Sequence, residues 1–317
     1  MRNKVFVIAR GPQLLTYSFP GSHPMNKERI VRFFELLDMN IEQFKDKIRF
    51  MEPVLASKDE IALFHYPEYI EYVEKKCRQG IGYLDYGDTP AYPGCFEAAS
   101  YTVGATLMIL KEVLNGEFYS GFNPMGGLHH ARRDRAGGFC IFNDAAVAIA
   151  YALSKGNCRS VAYVDIDAHH GDGVYYEFED DPRVIFLDIH QDGRTLYPGT
   201  GYEYERGRGK AENTKLNIPL PPGSGDDSFK EAFRKGEQFL LNHEFDIIFF
   251  QCGADCLEDD PLTRLEYSPS SHYYAAKKLR ELAEKKCDSR IVAMGGGGYN
   301  PNNVANAWLN VVKALTE

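Results

Sequence analysis

Short β-rich runs that are apolar on both faces recur along this 317-residue chain, separated by longer stretches with apolar residues every three or four positions. That alternation constrains the fold most, because strands apolar on both faces need cover on both sides and the helical stretches supply it. The expected strands are residues 5–9, 160–167, 184–190, 245–251 and 290–294, and the expected covering helices are 28–37, 96–114, 144–153, 270–285 and 302–315. The fold class is therefore α/β with a mostly parallel central sheet. No internal repeat, low-complexity tract or long linker interrupts it, and the most loop-like stretch, 219–225, is short. A single domain over 1–317 is expected.

Composition removes several function classes. Lys+Arg number 36 against 45 Asp+Glu, a formal charge of −9, which disfavours nucleic acid or an anionic membrane as partner and suits a cationic substrate. No apolar run approaches the ~20 residues that span a bilayer. The charged start at 1–4, followed by 5–9, lacks a cleavage site and reads as the lead-in to a first strand. Seven cysteines form no CxxC pair and are odd in number, in a chain too long to depend on disulfides. A reducing cytoplasm is the expected location.

In an open α/β sheet, ligands gather beyond the carboxyl ends of the strands. There the segment from Asp165 to Asp172 packs three carboxylates and two imidazoles into eight residues. Residues two apart share a strand face, so Asp167 and His169 can reach one cation together with Asp165 behind them. A carboxylate and an imidazole make a half-site for zinc or iron(II). An isolated D-x-H run would read as a turn cluster, but the density of charge here weighs against that. Asp255, directly after a buried apolar run, is the natural third ligand. Cys252 and Cys256 compete with it, although a thiol ending an apolar strand usually behaves as a small hydrophobe.

The tandem His129-His130 lies in a Gly-flanked segment suited to acid–base work, and Asp165 and Asp172 are the carboxylates available to orient the two imidazoles. Four glycines, Gly295 to Gly298, precede Tyr299. A phosphate loop there lacks its Lys-Ser/Thr, so Tyr299 reads as a hydroxyl aimed into the site.

Taken together, Gly126-Gly127-Leu128-His129-His130-Ala131, Gly138-Phe139-Cys140-Ile141-Phe142-Asn143-Asp144, Asp165-Ile166-Asp167-Ala168-His169-His170-Gly171-Asp172-Gly173, Gly253-Ala254-Asp255 and Gly295-Gly296-Gly297-Gly298-Tyr299 resemble the histone deacetylase family. Five motifs stand in family order, and Phe122-Asn123-Pro124 looks most like the prokaryotic acetoin-utilisation deacetylases. The resemblance implies an arginase-like three-layer α/β/α sandwich with Zn2+ or Fe2+ on Asp167, His169 and Asp255. It implies His130, oriented by Asp172, as general base and then acid, His129 with Asp165 as an electrostatic partner, and Tyr299 as donor to the substrate carbonyl. Phe139 and Tyr197 match the aromatic pair gripping the acetyl-lysine stem, with Gly138 and Leu262 lining the same tunnel. Asp88 matches the rim aspartate that accepts from a peptide backbone, and Arg29 matches the arginine of the acetate exit.

Two departures stand out. Tyr197 replaces the family's usual Phe. The potassium ion that family members bind beside the active metal would use Asp165, Asp167 and His169 here, but Asp188 stands where a hydroxyl residue is usual, placing that K+ site in question. The expected activity is metal-dependent removal of acetyl from a primary amine. Asp88 favours acetyl-lysine in protein, and the acidic balance favours a small acetylpolyamine. An arginase-type ureohydrolase with two manganese ions needs D-x-H-x-D, and Asp172 falls one residue too late. A non-catalytic acyl-binding module would have no use for His129, His130 and Tyr299. The sequence is equally compatible with a monomer and a homo-oligomer.

Overall fold

A computed structural model describes residues 5–317; residues 1–4, the lead-in to the expected first strand, lie outside them. Eight strands form one sheet: β1 (Phe6–Ala9), β2 (Ile48–Met51), β3 (Ser120–Asn123), β4 (Val161–Asp165), β5 (Val184–Gln191), β6 (Lys215–Leu220), β7 (Ile248–Gln251) and β8 (Ile291–Met294). Their spatial order is β2-β1-β3-β8-β7-β4-β5-β6, with parallel pairing throughout. The helices are α1 (Glu28–Met39), α2 (Lys58–Ile61), α3 (Pro67–Gln79), α4 (Cys95–Asn115), α5 (Asp144–Ser154), α6 (Asp172–Tyr175), α7 (Asp226–Leu241), α8 (Pro269–Lys286) and α9 (Pro301–Leu315). One group, α4 with α3 and α5, and another in which α1, α9, α8 and α7 pack in succession, complete the three-layer sandwich.

The expected strands appear as β1, β4, β5, β7 and β8, and every residue in them is buried, as strands covered on both sides must be. The other three have physical reasons for being inconspicuous. β3 reads Ser-Gly-Phe-Asn, with no apolar run, and is buried by its neighbours β1 and β8. β2 and β6 are the sheet edges, where one side needs no partner and polar residues are tolerated. β6 even includes Pro219 and Leu220 from the expected loop, because a residue without an N–H is acceptable on an edge. The unexpected α3 and α7 do carry buried stripes, Tyr69, Ile70, Val73 and Cys77 in one and Phe229, Ala232, Phe233 and Leu240 in the other, interleaved with charged residues.

Local chemistry fixes the helices nearest the sheet's carboxyl edge. Asn143 caps α5 by accepting from Ala146 N, and Asn300 caps α9 by accepting from Asn302 N and Asn303 N, with Pro301 opening the first turn. The single Trp308 is fully buried on α9, packs its ring on Phe33 and Phe122, and donates its indole N–H towards Cys252 O and Gly295 O at 3.2 Å each. It thereby ties α9 to the ends of β7 and β8.

One cysteine pairing differs from the sequence expectation. Cys77 in α3 and Cys95, the first residue of α4, form a disulfide. Eighteen residues apart in sequence, they carry no spacing signal, and only the packing of α3 against α4 brings them together. The bond closes the base of the loop that carries Asp88. A loop of this size is worth about 3 kcal/mol of unfolded-state entropy. The C77A/C95A double variant should therefore unfold at lower denaturant than the oxidised wild type by about that amount, and the gap should close when both are measured in dithiothreitol. Equal stability under oxidising conditions would contradict it.

Candidate metal centre and active site

The four central strands β3, β8, β7 and β4 end in register: Asn123 faces Met294, Met294 faces Gln251, and Gln251 faces Asp165. The next pair, Asp165 with Asp188, continues the row on β5. Each of these strands releases a segment that carries one part of the site. His129 and His130 follow β3, Tyr299 follows β8, Asp255 follows β7, and Asp167 and His169 follow β4.

Asp167, His169 and Asp255 each offer one ligand atom, all within 4.8 Å of one another. His169 Nδ1 lies 3.1 Å from Asp167 Oδ1 and 2.9 Å from Asp255 Oδ2. The remaining carboxylate oxygens are held in place by N–H donors. Asp167 Oδ2 accepts from Gln251 Nε2 and Gly297 N, both at 2.8 Å, and Asp255 Oδ1 accepts from Ala168 N at 2.8 Å. Each carboxylate thus presents one oxygen to a common centre. A Cβ on Gly297 would run into both carboxylates, so glycine is required there.

Burial followed by the nearby Asp167 pushes the Asp255 carboxyl up to about 7. Burial alone would also raise Asp167, but His129 and His169 outweigh it and hold that carboxyl well below its ordinary range. Two buried carboxylates this close do not both stay ionised without a cation between them. Two carboxylates and an imidazole are a donor set suited to zinc or iron(II), with coordination positions left for other ligands. The residues fit a divalent ion.

The two imidazoles are oriented as pairs. His129 Nδ1 lies 2.8 Å from Asp165 Oδ2, His130 Nδ1 lies 2.7 Å from Asp172 Oδ1, and the two Nε2 atoms converge at 3.1 Å. Burial lowers the His129 pKa, but Asp165 and Asp167 overcome it and bring it to about 10. His130 moves the other way, to about 4, through burial and then the charge of His129, against the pull of Asp172. The pair therefore combines one cationic ring with one neutral ring able to accept a proton.

Further neighbours complete the support. Asp144, at the start of α5, accepts from Gly127 N and Leu128 N at 3.0 and 2.9 Å and from Thr106 Oγ1 at 2.6 Å, fixing the segment ahead of the histidines. Tyr163 donates to Asp165 at 2.6 Å, and Arg132 donates to Asp172 at 3.1 Å. Asp188 is engaged by His190 Nδ1 at 2.6 Å and by Gly171 N at 2.8 Å. Of these groups, Asp144 ends one of the family motifs and Asp188 stands at the expected K+ position, whereas Tyr163 and Arg132 act through side-chain bonds to Asp165 and Asp172.

A small inner cavity is lined by Met25, Leu128, Cys140, His169 and Tyr299, and an outer cleft of about 370 Å³ is lined by Asp85, Asp88, Arg132, Arg135 and Tyr197; His130 lines both. Gly138 borders the inner cavity, and a Cβ there would strike the His130 ring. Phe139 holds a left-handed φ of 67°, stabilised by its N–H to Thr89 Oγ1 at 3.1 Å and its carbonyl accepting from Tyr17 at 2.7 Å. Its ring meets Tyr299 edge-on at 5.7 Å. Tyr197 packs 5.1 Å from His130. Burial and then Asp255 push the Tyr299 phenol well above its ordinary pKa, so it stays a donor. Buried Arg29 donates to Gly296 O and lies 5.6 Å from the Tyr299 ring. Leu262, expected in the tunnel wall, is 40% exposed, and its N–H donates to Asp260 Oδ1 at 2.9 Å.

A profile of the histone deacetylase domain matches residues 23–315. The chain belongs to the histone deacetylase family. It is 40% identical over 324 residues to the acetoin utilization protein AcuC of Bacillus subtilis (strain 168), covering 98% of this chain and 82% of that one. With AcuC of Staphylococcus xylosus the identity is 34% over 314 residues, covering 96% and 80%. The crystal structure of the HDA15 HD domain superposes with a TM-score of 0.88 at 25% identity, over 99% of this chain and 88% of that one. The arginase/deacetylase-like fold and a hydrolase of the deacetylase class follow from these likenesses. No helix among the described residues is long and apolar enough to cross a membrane.

The support given to Asp167 generates a prediction. Gln251→Ala removes the side-chain donor to its second oxygen and should weaken divalent-ion binding about 10- to 100-fold, measured by competition with a chromophoric chelator. Asp255→Asn should abolish stoichiometric binding of one ion per chain. Undiminished binding in both variants would contradict the assignment of this centre.

Proposed function

We propose that this histone deacetylase family member hydrolyses the amide of acetyl-lysine in peptides and proteins, with Zn2+ as its metal. The observation that carries the reading is the meeting of three elements at one narrow cavity: the Asp167, His169 and Asp255 cluster, the two His–Asp pairs, and the Tyr299 phenol. Asp167, His169 and Asp255 would hold the zinc ion, which when bound would supply a lowered pKa for water and polarisation of a carbonyl.

The chain's own groups do the rest. His130, neutral and turned to the cavity through Nε2, takes a proton from water as the oxygen adds to the acetyl carbon. Asp172, 2.7 Å from its Nδ1, stabilises the resulting imidazolium. His129, kept cationic by Asp165, and the Tyr299 phenol stabilise the negative charge that develops on the acetyl oxygen. His130 then returns its proton to the nitrogen, the C–N bond breaks, and acetate and the free amine result. Phe139 and Tyr197 flank the aliphatic stem, and Arg29 stands behind the cavity on the side of the departing acetate.

The support for a peptide substrate is the turn at the mouth of the outer cleft, which is lined by Asp85, Asp88 and Asp172 together with Arg132 and Arg135, the two arginines being paired with Asp172 and Asp134. Asp85 Oδ1 accepts from the N–H groups of Gly87, Asp88 and Thr89 at 3.0, 3.1 and 2.9 Å, which fixes the turn presenting Asp88. Asp88 then stands at the mouth as an acceptor for a substrate backbone N–H.

Zinc-loaded protein should show a higher kcat/KM on an acetyl-lysine peptide than on acetylputrescine or acetylspermidine. His130→Ala and Tyr299→Phe should each lower kcat by about two orders of magnitude or more. Preference for the polyamines would move the substrate assignment, and unchanged turnover in both variants would remove these residues from the mechanism.

A further inference from the structure

Tyr299 has to place its phenol accurately, yet it follows four glycines, with Gly296 and Gly298 at φ of 71° and 117°. Such a run has little intrinsic preference for one path. Its course is set by bonds to neighbours. Gly296 N donates to Gly126 O at 2.7 Å, Gly297 N donates to Asp167, and Gly297 O accepts from Ala254 N at 2.9 Å. All of these act before Gly298. At Tyr299 itself the backbone N–H donates to Asp260 Oδ2 at 2.7 Å.

Asp260 is 8% exposed, and its other oxygen accepts from Leu262 N at 2.9 Å. One carboxylate thus joins the turn that carries Tyr299 to the loop that follows Asp255. Asp260 is itself anchored, its N–H donating to Leu257 O at 3.2 Å. Burying a carboxylate is expensive unless its oxygens are satisfied, and hydrogen bonds to an ionised acceptor are about twice as strong as neutral ones. A carboxylate is thus the side chain best suited to pin this turn. The Tyr299 hydroxyl makes no hydrogen bond within the described residues, which leaves it available to a ligand in the cavity it lines.

We propose that Asp260 is a positioning residue for deacetylation: by holding the Tyr299 N–H across to the Asp255 loop, it sets the phenol where the acetyl oxygen develops charge. This rests on the donor role assigned to Tyr299 above, and the two are separable by experiment. Asp260 lines neither cavity, and its route to the reacting atoms is through Tyr299.

The test is a double-mutant cycle on zinc-loaded protein with an acetyl-lysine peptide, using wild type, Tyr299→Phe, Asp260→Ala and the double variant. Metal content and melting temperature are read on the same preparations, together with affinity for a trifluoromethyl ketone analogue whose hydrate mimics the tetrahedral state. Asp260→Ala should lower kcat about 10- to 100-fold, approaching the loss of an oxyanion donor, with KM within about twofold and metal content unchanged. It should weaken the analogue along with kcat. The double variant should be no slower than Tyr299→Phe alone, because the misplaced group is already gone. Asp260→Asn, which at the same volume keeps an oxygen for the Tyr299 N–H but sets its NH2 against the Leu262 N–H, should recover part of the rate and covers the case in which the alanine variant fails to fold.

Losses that multiply in the double variant would show a general structural role and overturn the proposal, as would near-wild-type kcat in Asp260→Ala or an Asp260→Asn variant no better than alanine. A fully active Tyr299→Phe would overturn the donor role and this proposal together. A slow Tyr299→Phe beside an unaffected Asp260→Ala would overturn this proposal alone.

Discussion

The site is organised by an excess of buried negative charge that must be neutralised where it stands. Asp165, Asp167, Asp188 and Asp255 are each no more than 1% exposed and lie at the carboxyl edge of three neighbouring strands. Desolvating that many carboxylates is unfavourable unless each is paired or hydrogen-bonded. The chain answers with His129 on Asp165, His190 on Asp188, backbone N–H groups around Asp167 and Asp255, and a three-ligand pocket that fits one divalent cation. Pairing also sets function, since it leaves His129 cationic and His130 neutral side by side.

The sheet makes this concentration of charge affordable in geometry. Parallel strands deliver all their carboxyl ends to one edge, and the order β3-β8-β7-β4 puts four such ends next to each other. Hydrophobic burial on both faces makes the row rigid, and Trp308 locks two of its exits to α9. The loops above need little structure of their own. They are held by single polar side chains reaching back from the scaffold: Asp144 for the histidine segment, Gln251 for Asp167 and Asp260 for the Tyr299 turn.

Much of this was legible in the sequence, for a definable reason. Buried strands advertise themselves as apolar runs, and residues doing metal or proton chemistry sit directly after them, so Asp167, His169 and Asp255 and the His129-His130 pair could be placed from strand ends and side-chain type. β3 was invisible because Ser-Gly-Phe-Asn is buried by its neighbours, and β6 because a proline on an edge strand resembles a loop. The Cys77–Cys95 bond depends on helix packing that spacing does not encode. Asp85 and Asp260 escaped because their partners are main-chain N–H groups, which every residue offers, and Gln251 because its bond to Asp167 crosses from one strand to the loop after another.

The central claim is that one divalent ion sits at the meeting point of Asp167, His169 and Asp255. Anomalous diffraction at the zinc edge from crystals of the zinc-loaded protein tests it directly. The account predicts one strong peak per chain, about 2.0–2.2 Å from a carboxylate oxygen of each aspartate and from the imidazole nitrogen. A peak bound elsewhere, or a pair of adjacent peaks drawing in further carboxylates, would contradict it.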